Sequence, residues 1–511
     1  MPAIRPSRIP PVPLGRLAAE AGLSAAPDVD VTGITLDSRQ VTPGALYVAM
    51  PGRRTHGAAF AAAAVDSGAV AVLTDPEGAG LLGSIDVPVL VSERLRHDTA
   101  RIASLVFDRP TDRLLTFGVT GTNGKTTTVA LLEAALAAAG HRVGTIGTIG
   151  FRLDGVALPS SRGTVTTPEA PDLHALLAVM AERGARTVAM EVSSHALKLE
   201  RVSGIRFDVA AFLNLGHDHL DFHPDLDDYF EAKARLITPE ATRRAVVWAD
   251  DPRGRQLVER EGQDLRITTV GTTDDVDYRL VDFEPVPPLG GRAAVIRRGE
   301  RLELAIGLPG IHNMIDAAVA LAMLEQVEVE TPEALAGLAS AHIPGRMQQI
   351  SLEGDEAPLV IVDFAHTPQA VAATLDALQD FDDVVTVVGC GGDRDAEKRP
   401  GMGLAAAARS DLVLVTDDNP RSEDPAVIRA ATVAGALRAT PAGGRRGRVE
   451  EVAGRRIAIQ TALARAGRGS VVAILGKGHE MGQEVDGQVL PFDDAVETRR
   501  AWDEMRGGRD A

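Results

Sequence analysis

The chain holds a single cysteine, Cys390, among 511 residues. No intrachain disulfide is possible, which fits a reducing cytoplasm. Aromatic residues make up only 3% of the chain. Alanine-rich runs such as "LLEAALAAAG" read as packed helices rather than low-complexity sequence. No long basic run occurs and the formal net charge is −18, which argues against a nucleic-acid partner. No run of eighteen apolar residues is present, so no segment is expected to span or bind a membrane. The basic, proline-rich N-terminus "MPAIRPSRIPPVPLGRLAAEAG" lacks the apolar core of a signal peptide. A cytoplasmic monomer acting on small-molecule substrates is the expectation. An acidic protein that binds phosphate must concentrate positive charge locally, so isolated lysines and arginines carry the interest.

What is present is globular: 45% hydrophobic and 24% charged residues. At this length one core cannot suffice, and roughly three domains are expected. Residues 1–110 alternate short apolar runs ("ALYVAM", "AVAVLTD", "VPVLVS") with helical patterns, a small α/β domain. A hinge is expected at "FDRPTDRL", 107–114. Residues 111–340 contain strand-like runs at "LLTFGVT", "RTVAMEV", "DVAAFLNL" and "RAVVWAD" between helices. That alternation implies a mainly parallel sheet covered on both faces. Residues 341–511 follow a boundary near "ASAHIPGRMQQ" and carry four more strands, each ending in a polar loop: "PLVIVDFAHTP", "DVVTVVGCGGD", "DLVLVTDDNP" and "SVVAILGKGHE". The expected fold class is therefore α/β in three domains, with a central P-loop-type domain and a doubly wound, Rossmann-like C-terminal domain. In such sheets ligands gather at the carboxyl ends of the strands.

"TFGVTGTNGKTTT", 116–128, has the look of a phosphate loop with unusual spacing. The common pattern places a glycine five positions before Gly-Lys-Ser/Thr, where this chain has Val119; its glycines are Gly118 and Gly121. A strand, a glycine loop and a helix still surround one anion with backbone N–H groups and a helix N-terminus. Lys125 is placed to contact the β/γ-phosphates and the Thr126 hydroxyl to hold Mg²⁺. Glu191, in "MEVSSHAL", ends a buried-type strand where a carboxylate needs a partner. "NLGHDHLDFH" gathers His217, Asp218, His219, Asp221 and His223. Zinc is the competing metal there, but cysteine is absent, and Mg²⁺ with ATP accounts better for the carboxylates. Any one of these histidines can equally be structural.

Eight stretches in order, "GVTGTNGKTTT", "EVSSHAL", "NLGHDHLDFH", "PGRMQ", "VDFAHTP", "GCGGDRDAEKRPGMG", "DNPRSEDP" and "GKGHE", together resemble the Mur ligases. "TLDSRQVTPGALYVA" resembles the family's N-terminal domain, and the likeness runs from about residue 30 to "FDDA" near 492–495. Members join an amino acid to a carboxylate of a UDP-sugar peptide. ATP phosphorylates the carboxylate, the amine attacks the acyl phosphate, and ADP and phosphate leave. The resemblance accounts for the odd spacing, because the family's loop starts at the residue that is Gly121 here and continues through Thr122, Asn123, Gly124, Lys125, Thr126 and Thr127. It implies a Mg²⁺ set of Thr126, Glu191, His219 and Lys233, with Lys233 carried as an N-carbamate. It implies ATP contacts from Asn313, Arg346 and Asp363. It implies UDP-sugar-peptide contacts from Leu36, Ser38, Thr166, Thr167, Ser193 and Arg201. The chain departs from the family at His312, where phenylalanine is frequent, at Gln348 for glutamate, at Phe364 for tyrosine and at Leu199 for glutamine.

Arg394 and Arg421 fall in two strand-end loops, and two guanidiniums suit two carboxylates. Glu480 can bind an ammonium. Two carboxylates and two amines describe meso-diaminopimelate, and "DNPR" resembles the diaminopimelate-adding members of the family. The implied amino-acid pocket is Arg394, Asp418, Asn419, Pro420, Arg421, Gly476 and Glu480. The bland alternative has Arg421 merely capping an acidic cluster of Asp417, Asp418, Glu423 and Asp424. A lysine-adding ligase and a folylpolyglutamate-synthetase-like ligase are the near rivals, and an ATP-driven switch or motor is the distant one.

Overall fold

The computed structural model describes residues 4–507, save 25, 26, 28, 53, 159–164, 217, 220, 221, 443 and 446. Two compact units divide the chain, Met1–Ala341 and His342–Ala511.

The first unit holds two principal sheets. The smaller is four parallel strands in sequence order, Gly33–Thr35, Ala45–Ala49, Ala69–Thr74 and Val89–Val91. The larger has eleven strands. At its centre Leu115–Thr120 lies between Thr187–Glu191 and Val209–Phe212, parallel to both. The parallel run continues outward through Val143–Gly147 on one side and through Arg244–Trp248 and Arg266–Gly271 to Tyr278–Pro285 on the other. Central strands such as "VAAF" are buried at every position, as expected where helices cover both faces. Strand order reverses around Leu115–Thr120, so the loop after it opens at a switch point. The helix Lys125–Ala138 follows at once, and Gly140, at φ +80°, lets the chain turn away after it.

The second unit is a six-stranded sheet. Leu359–Asp363, Ser470–Leu475, Asp383–Cys390 and Leu412–Asp417 are adjacent and parallel, with Arg448–Glu451 beyond them and antiparallel Gln348–Ile350 at the other edge. In register, Asp363 faces Leu475 and Cys390 faces Asp417. The four polar loops expected to carry function therefore leave from one end of the sheet.

Several antiparallel features stand outside the sequence reading. One is the meander Tyr278–Pro285, Gly291–Arg297 and Glu300–Ile306 that ends the large sheet. At the opposite edge Gly150–Leu153 and Val156–Ala157 add to Val143–Gly147. Another is the hairpin Gly482–Val485/Gln488–Pro491. Its turn residues Asp486 and Gly487 both have positive φ, +49° and +75°, the Asp-Gly signature of a type I′ turn. Among the described residues no helix is long and apolar enough to cross a membrane.

Candidate active site

In the glycine loop the backbone sets the geometry. Gly124 stands at φ +88°, and a β-carbon there would overlap the Asp316 carboxyl, so two constraints require glycine. Lys125 folds back over the loop, donating to the carbonyls of Gly121 at 2.7 Å and Thr122 at 2.9 Å. Asn123 N–H donates to Asn214 Oδ1 at 2.9 Å, and Gly216 N–H to the Thr122 hydroxyl at 2.8 Å. The loop is thus braced by the segment that carries the His/Asp cluster. Thr127 is buried on the first turn of the helix. Asp316 is buried beneath, and burial pushes its carboxyl well above the usual range despite Lys125 and Thr128.

Glu191 is 1% exposed at the end of the strand beside the loop strand. It accepts from the Thr126 hydroxyl at 2.9 Å, from Thr148 N–H at 2.8 Å and from the Thr148 hydroxyl at 3.0 Å. Thr148 also meets Thr166 at 3.2 Å. Gly147 passes so close that any side chain there would overlap the Glu191 carboxylate. Thr126 and Glu191, expected as metal partners, are therefore brought into direct contact, and Thr148 is a partner that nothing in the sequence marked.

Lys233 is fully buried on the helix Leu226–Ala234 and donates to Gly121 O at 2.8 Å. Its amine lies 4.5 Å from the Tyr229 ring centroid. Burial first, then the charge of Lys125, hold its pKa well below that of a free lysine. His219 sits at φ +54° with its ring 4.8 Å from that of His195 and 6.0 Å from Tyr229. His223 is structural: it joins Asp228 at 2.7 Å and Ser194 at 3.0 Å. His217 and Asp221 lie outside the described residues. Among the described residues no three His, Cys, Asp or Glu side chains gather as a metal cage.

Thr167 bonds the Glu191 carbonyl at 2.8 Å and accepts from Ser193 N–H at 3.2 Å, and Ser193 caps its own helix. Arg201 donates to the Thr167 carbonyl at 3.0 Å and pairs with Glu169 at 2.6 Å, which also takes Arg96 at 3.3 Å. Leu36, Arg96, Glu169, Leu199 and Arg201 pack around one small gap, so residues expected from both the uridine and the peptide parts lie together. Ser38 opens a 3-10 turn capped by Asp37. Asn313 is buried and anchored to Pro309 O at 2.7 Å.

In the second unit Arg346 lies over the Phe364 ring, 4.8 Å from its centroid. Asp363 is buried, accepting from Met347 N–H at 2.7 Å and Thr374 at 3.1 Å. Burial raises its carboxyl above the ordinary range against the pull of Arg346. The loops "DDNPR" and "GKGHE" are joined by Lys477, fully buried, which reaches Asn419 Oδ1 at 3.0 Å, Glu480 at 3.2 Å and Asp418 at 3.4 Å. Asn419 donates to Glu480 at 2.7 Å. Gly476, at φ +114°, lies where a side chain would crowd Asp418. Pro420 O packs against Gly392.

Arg421 does not cap the acidic cluster. Its Nε donates to Glu484 at 3.1 Å and its Nη1 to Gly392 O at 2.6 Å. Glu423 instead pairs with Arg399 at 2.7 Å, Asp417 with Arg429, and Asp424 caps the helix Pro425–Ala436. Arg394 is exposed in the neighbouring loop, its Cγ approaching the space beside Gly391 that Arg421 Nη1 also borders. Lys477 lay inside a motif that the sequence reading used without naming it. Glu484 could have been found from the Asp-Gly hairpin that carries it.

A strand–loop–helix phosphate cradle with an acidic partner, followed by a doubly wound unit with basic strand-end loops, defines a class, and comparison with known proteins agrees. Residues 30–104 match the Mur ligase family catalytic domain, 119–324 the Mur ligase middle domain and 345–478 the Mur ligase glutamate ligase domain. The chain belongs to the Mur ligase family. It is 43% identical to the UDP-N-acetylmuramoyl-L-alanyl-D-glutamate–2,6-diaminopimelate ligase of Streptomyces avermitilis, over 98% of this chain and 99% of that one. It is 42% identical to the UDP-N-acetylmuramyl-tripeptide synthetase of Leifsonia xyli, over 98% and 97%. A solved structure of a UDP-N-acetylmuramoyl-L-alanyl-D-glutamate–2,6-diaminopimelate ligase superposes with a TM-score of 0.69 at 30% identity, covering 97% of this chain and all of that one.

Proposed function

We propose that this chain is an ATP-dependent amide ligase that adds meso-diaminopimelate to the D-glutamate of UDP-N-acetylmuramoyl-L-alanyl-D-glutamate in peptidoglycan precursor synthesis. It works as a cytoplasmic monomer. Residues 1–110 take the UDP-sugar, 111–340 the ATP and 341–511 the incoming amino acid.

The carboxylate of D-glutamate is a poor acceptor for an amine. Transfer of the γ-phosphoryl group gives it a leaving group. The amine nitrogen then bonds the acyl carbon, phosphate departs with the C–O bond pair, and the ammonium proton is lost to solvent or a base. Lys125 and the loop N–H groups offset charge where two anions meet. Thr126 and the buried Glu191 carboxylate form an oxygen donor pair suited to a hard cation. With His219 and an N-carbamate on Lys233, they are the residues that would hold Mg²⁺. When bound, the ion supplies further neutralisation of the phosphates. Lys233 suits carbamate formation because burial favours its neutral amine, the form that reacts with CO₂.

The observation that carries the reading is the station around Arg421, a guanidinium fixed by Glu484 and Gly392 on the loop whose Asn419 bonds Glu480, in a chain 43% identical over nearly its whole length to a diaminopimelate-adding ligase. The test is phosphate release from ATP with the UDP-dipeptide sugar and each amino acid in turn. Turnover with diaminopimelate far above turnover with lysine is expected. Equal rates with both, or ATP hydrolysis independent of any amino acid, would refute it.

A further inference from the structure

Arg421 is one of the few non-glycine residues at positive φ, +54°, a conformation that persists only when its surroundings enforce it. The enforcing element is the hairpin Gly482–Pro491. Arg421 N–H donates to Glu484 O at 2.9 Å and Asp486 N–H to Arg421 O at 2.7 Å, a one-residue bridge alongside Val485. Glu484 N–H donates to Asn419 Oδ1 at 3.0 Å, and the Gln483 amide to Asp418 O at 2.6 Å. The hairpin thus grips Asp418, Asn419 and the Arg421 backbone besides the arginine side chain. Because its strands are short, one half-buried and one exposed, it can be altered without touching the sheet core.

A guanidinium has five N–H donors in a rigid fork. Glu484 takes Nε and the Gly392 carbonyl takes one donor of Nη1. The donors that remain lie at the Nη1/Nη2 end. We propose that Glu484 is a positioning and specificity-determining residue: by holding Nε it turns that end of Arg421 toward the far carboxylate of the amino acid substrate. This rests on the proposed diaminopimelate reading and deepens it. Without Glu484 the arginine retains its charge but loses its aim. A bidentate pair depends on aim, whereas simple attraction between charges does not. Lysine, with no far carboxylate, gains nothing from the alignment.

The experiment compares Glu484→Ala, Glu484→Gln, Arg421→Ala and the double variant with alanine at both positions. For Glu484→Ala the KM for diaminopimelate is expected to rise about tenfold, the loss of roughly one well-aligned charged hydrogen bond. kcat and the KM values for ATP and UDP-dipeptide should stay near wild type, and the diaminopimelate-over-lysine efficiency ratio should fall with the KM. Glu484→Gln, which keeps an acceptor for Nε, should recover most of the loss. In the Arg421→Ala background, Glu484→Ala should add nothing, since both act through one contact. If Arg421→Ala collapses the ratio while Glu484→Ala leaves it unchanged, the positioning role is overturned and the proposed function stands. If Glu484→Ala weakens every substrate alike, or its effect simply adds to that of Arg421→Ala, its role is structural and the proposal fails. If neither variant moves the ratio, both the proposal and the diaminopimelate reading fall.

Discussion

Two positively charged side chains, Lys125 and Arg421, carry the two halves of the proposed function, and their settings are built differently. Lys125 finds its acceptors three and four residues back, on carbonyls of its own loop. Arg421 finds its acceptors 29 and 63 residues away, on Gly392 and Glu484. The first site is made of backbone, and its side chains add charge to a shape that already exists. The second is held by side chains and by a backbone bridge from a distant hairpin, and its shape exists only while several loops agree. Damage to the first should therefore strike the chemistry, and damage to the second should strike selection.

The largest effect is expected at Lys125. Its alanine variant should keep the fold, because the loop stands on Gly124 and on bonds from Asn214 and Gly216 that do not involve it. Removing a charge needed most in the transition state typically costs about 10²- to 10³-fold in rate. Circular dichroism and phosphate release measured on the same sample provide the check. A folded variant with near-normal turnover would break the phosphate-loop side of the comparison.

Next comes Lys233, which the proposed function places with the chemistry. Its alanine variant should lose about a hundredfold or more, on the scale of lost charge stabilisation, with partial rescue by small carboxylates. Its pKa in the folded chain lies below the ordinary 10.5. Between those two values the unfolded chain binds more protons than the folded one, so this residue's burial cost shrinks as pH rises toward 10.5. Carbamate formation needs the neutral amine, so its occupancy should fall as pH drops below the lowered value. Labelled bicarbonate and carbon NMR would follow the adduct across pH. A bare amine at every pH, with a fully active alanine variant, would remove it from the metal set.

Selection should respond at Arg421. A charged pair left half-empty in a closed pocket costs roughly 2–5 kcal/mol, about thirtyfold to several-thousandfold. Arg421→Ala should raise the KM for diaminopimelate by about thirtyfold or more on that scale, while ATP binding holds. An unchanged ratio of efficiencies, diaminopimelate over lysine, would separate Arg421 from substrate reading.

The same contrast explains what the sequence made legible. The glycine loop could be read because its constraints are local: Gly124 needs positive φ, the strand precedes it and the helix follows. The four C-terminal strands were equally plain, since "LVIVD" and "SVVAIL" are nearly continuous apolar runs. The meander Tyr278–Ile306 was missed although "ERLELAI" alternates exposed and buried side chains. Thr148 could not be anticipated, because only the register of separate strands brings it to Glu191. For Arg421 the residue was visible, whereas its partner Glu484 arrives on a hairpin whose only sequence signal is the Asp-Gly turn.

The smallest effect is expected at Arg394, and it sharpens the comparison within the second site. Arg394 and Arg421 border the same space beside Gly391. Arg421 is held at Nε and Nη1, whereas Arg394 is exposed. An exposed charge must lose side-chain freedom to bind, and water and salt screen what it gains, so such contacts contribute about 0–1 kcal/mol. Arg394→Ala should accordingly raise the KM for diaminopimelate by no more than about fivefold. That modest loss should shrink further as ionic strength rises, because only a solvent-exposed interaction is screened so readily. The Arg421→Ala penalty should persist in the same salt series. Diaminopimelate KM at low and high salt for the two variants is the measurement. If Arg394→Ala proves as damaging as Arg421→Ala and equally insensitive to salt, then ligand binding buries Arg394 too. The pocket would then read both carboxylates with two fixed arginines rather than with one fixed and one free.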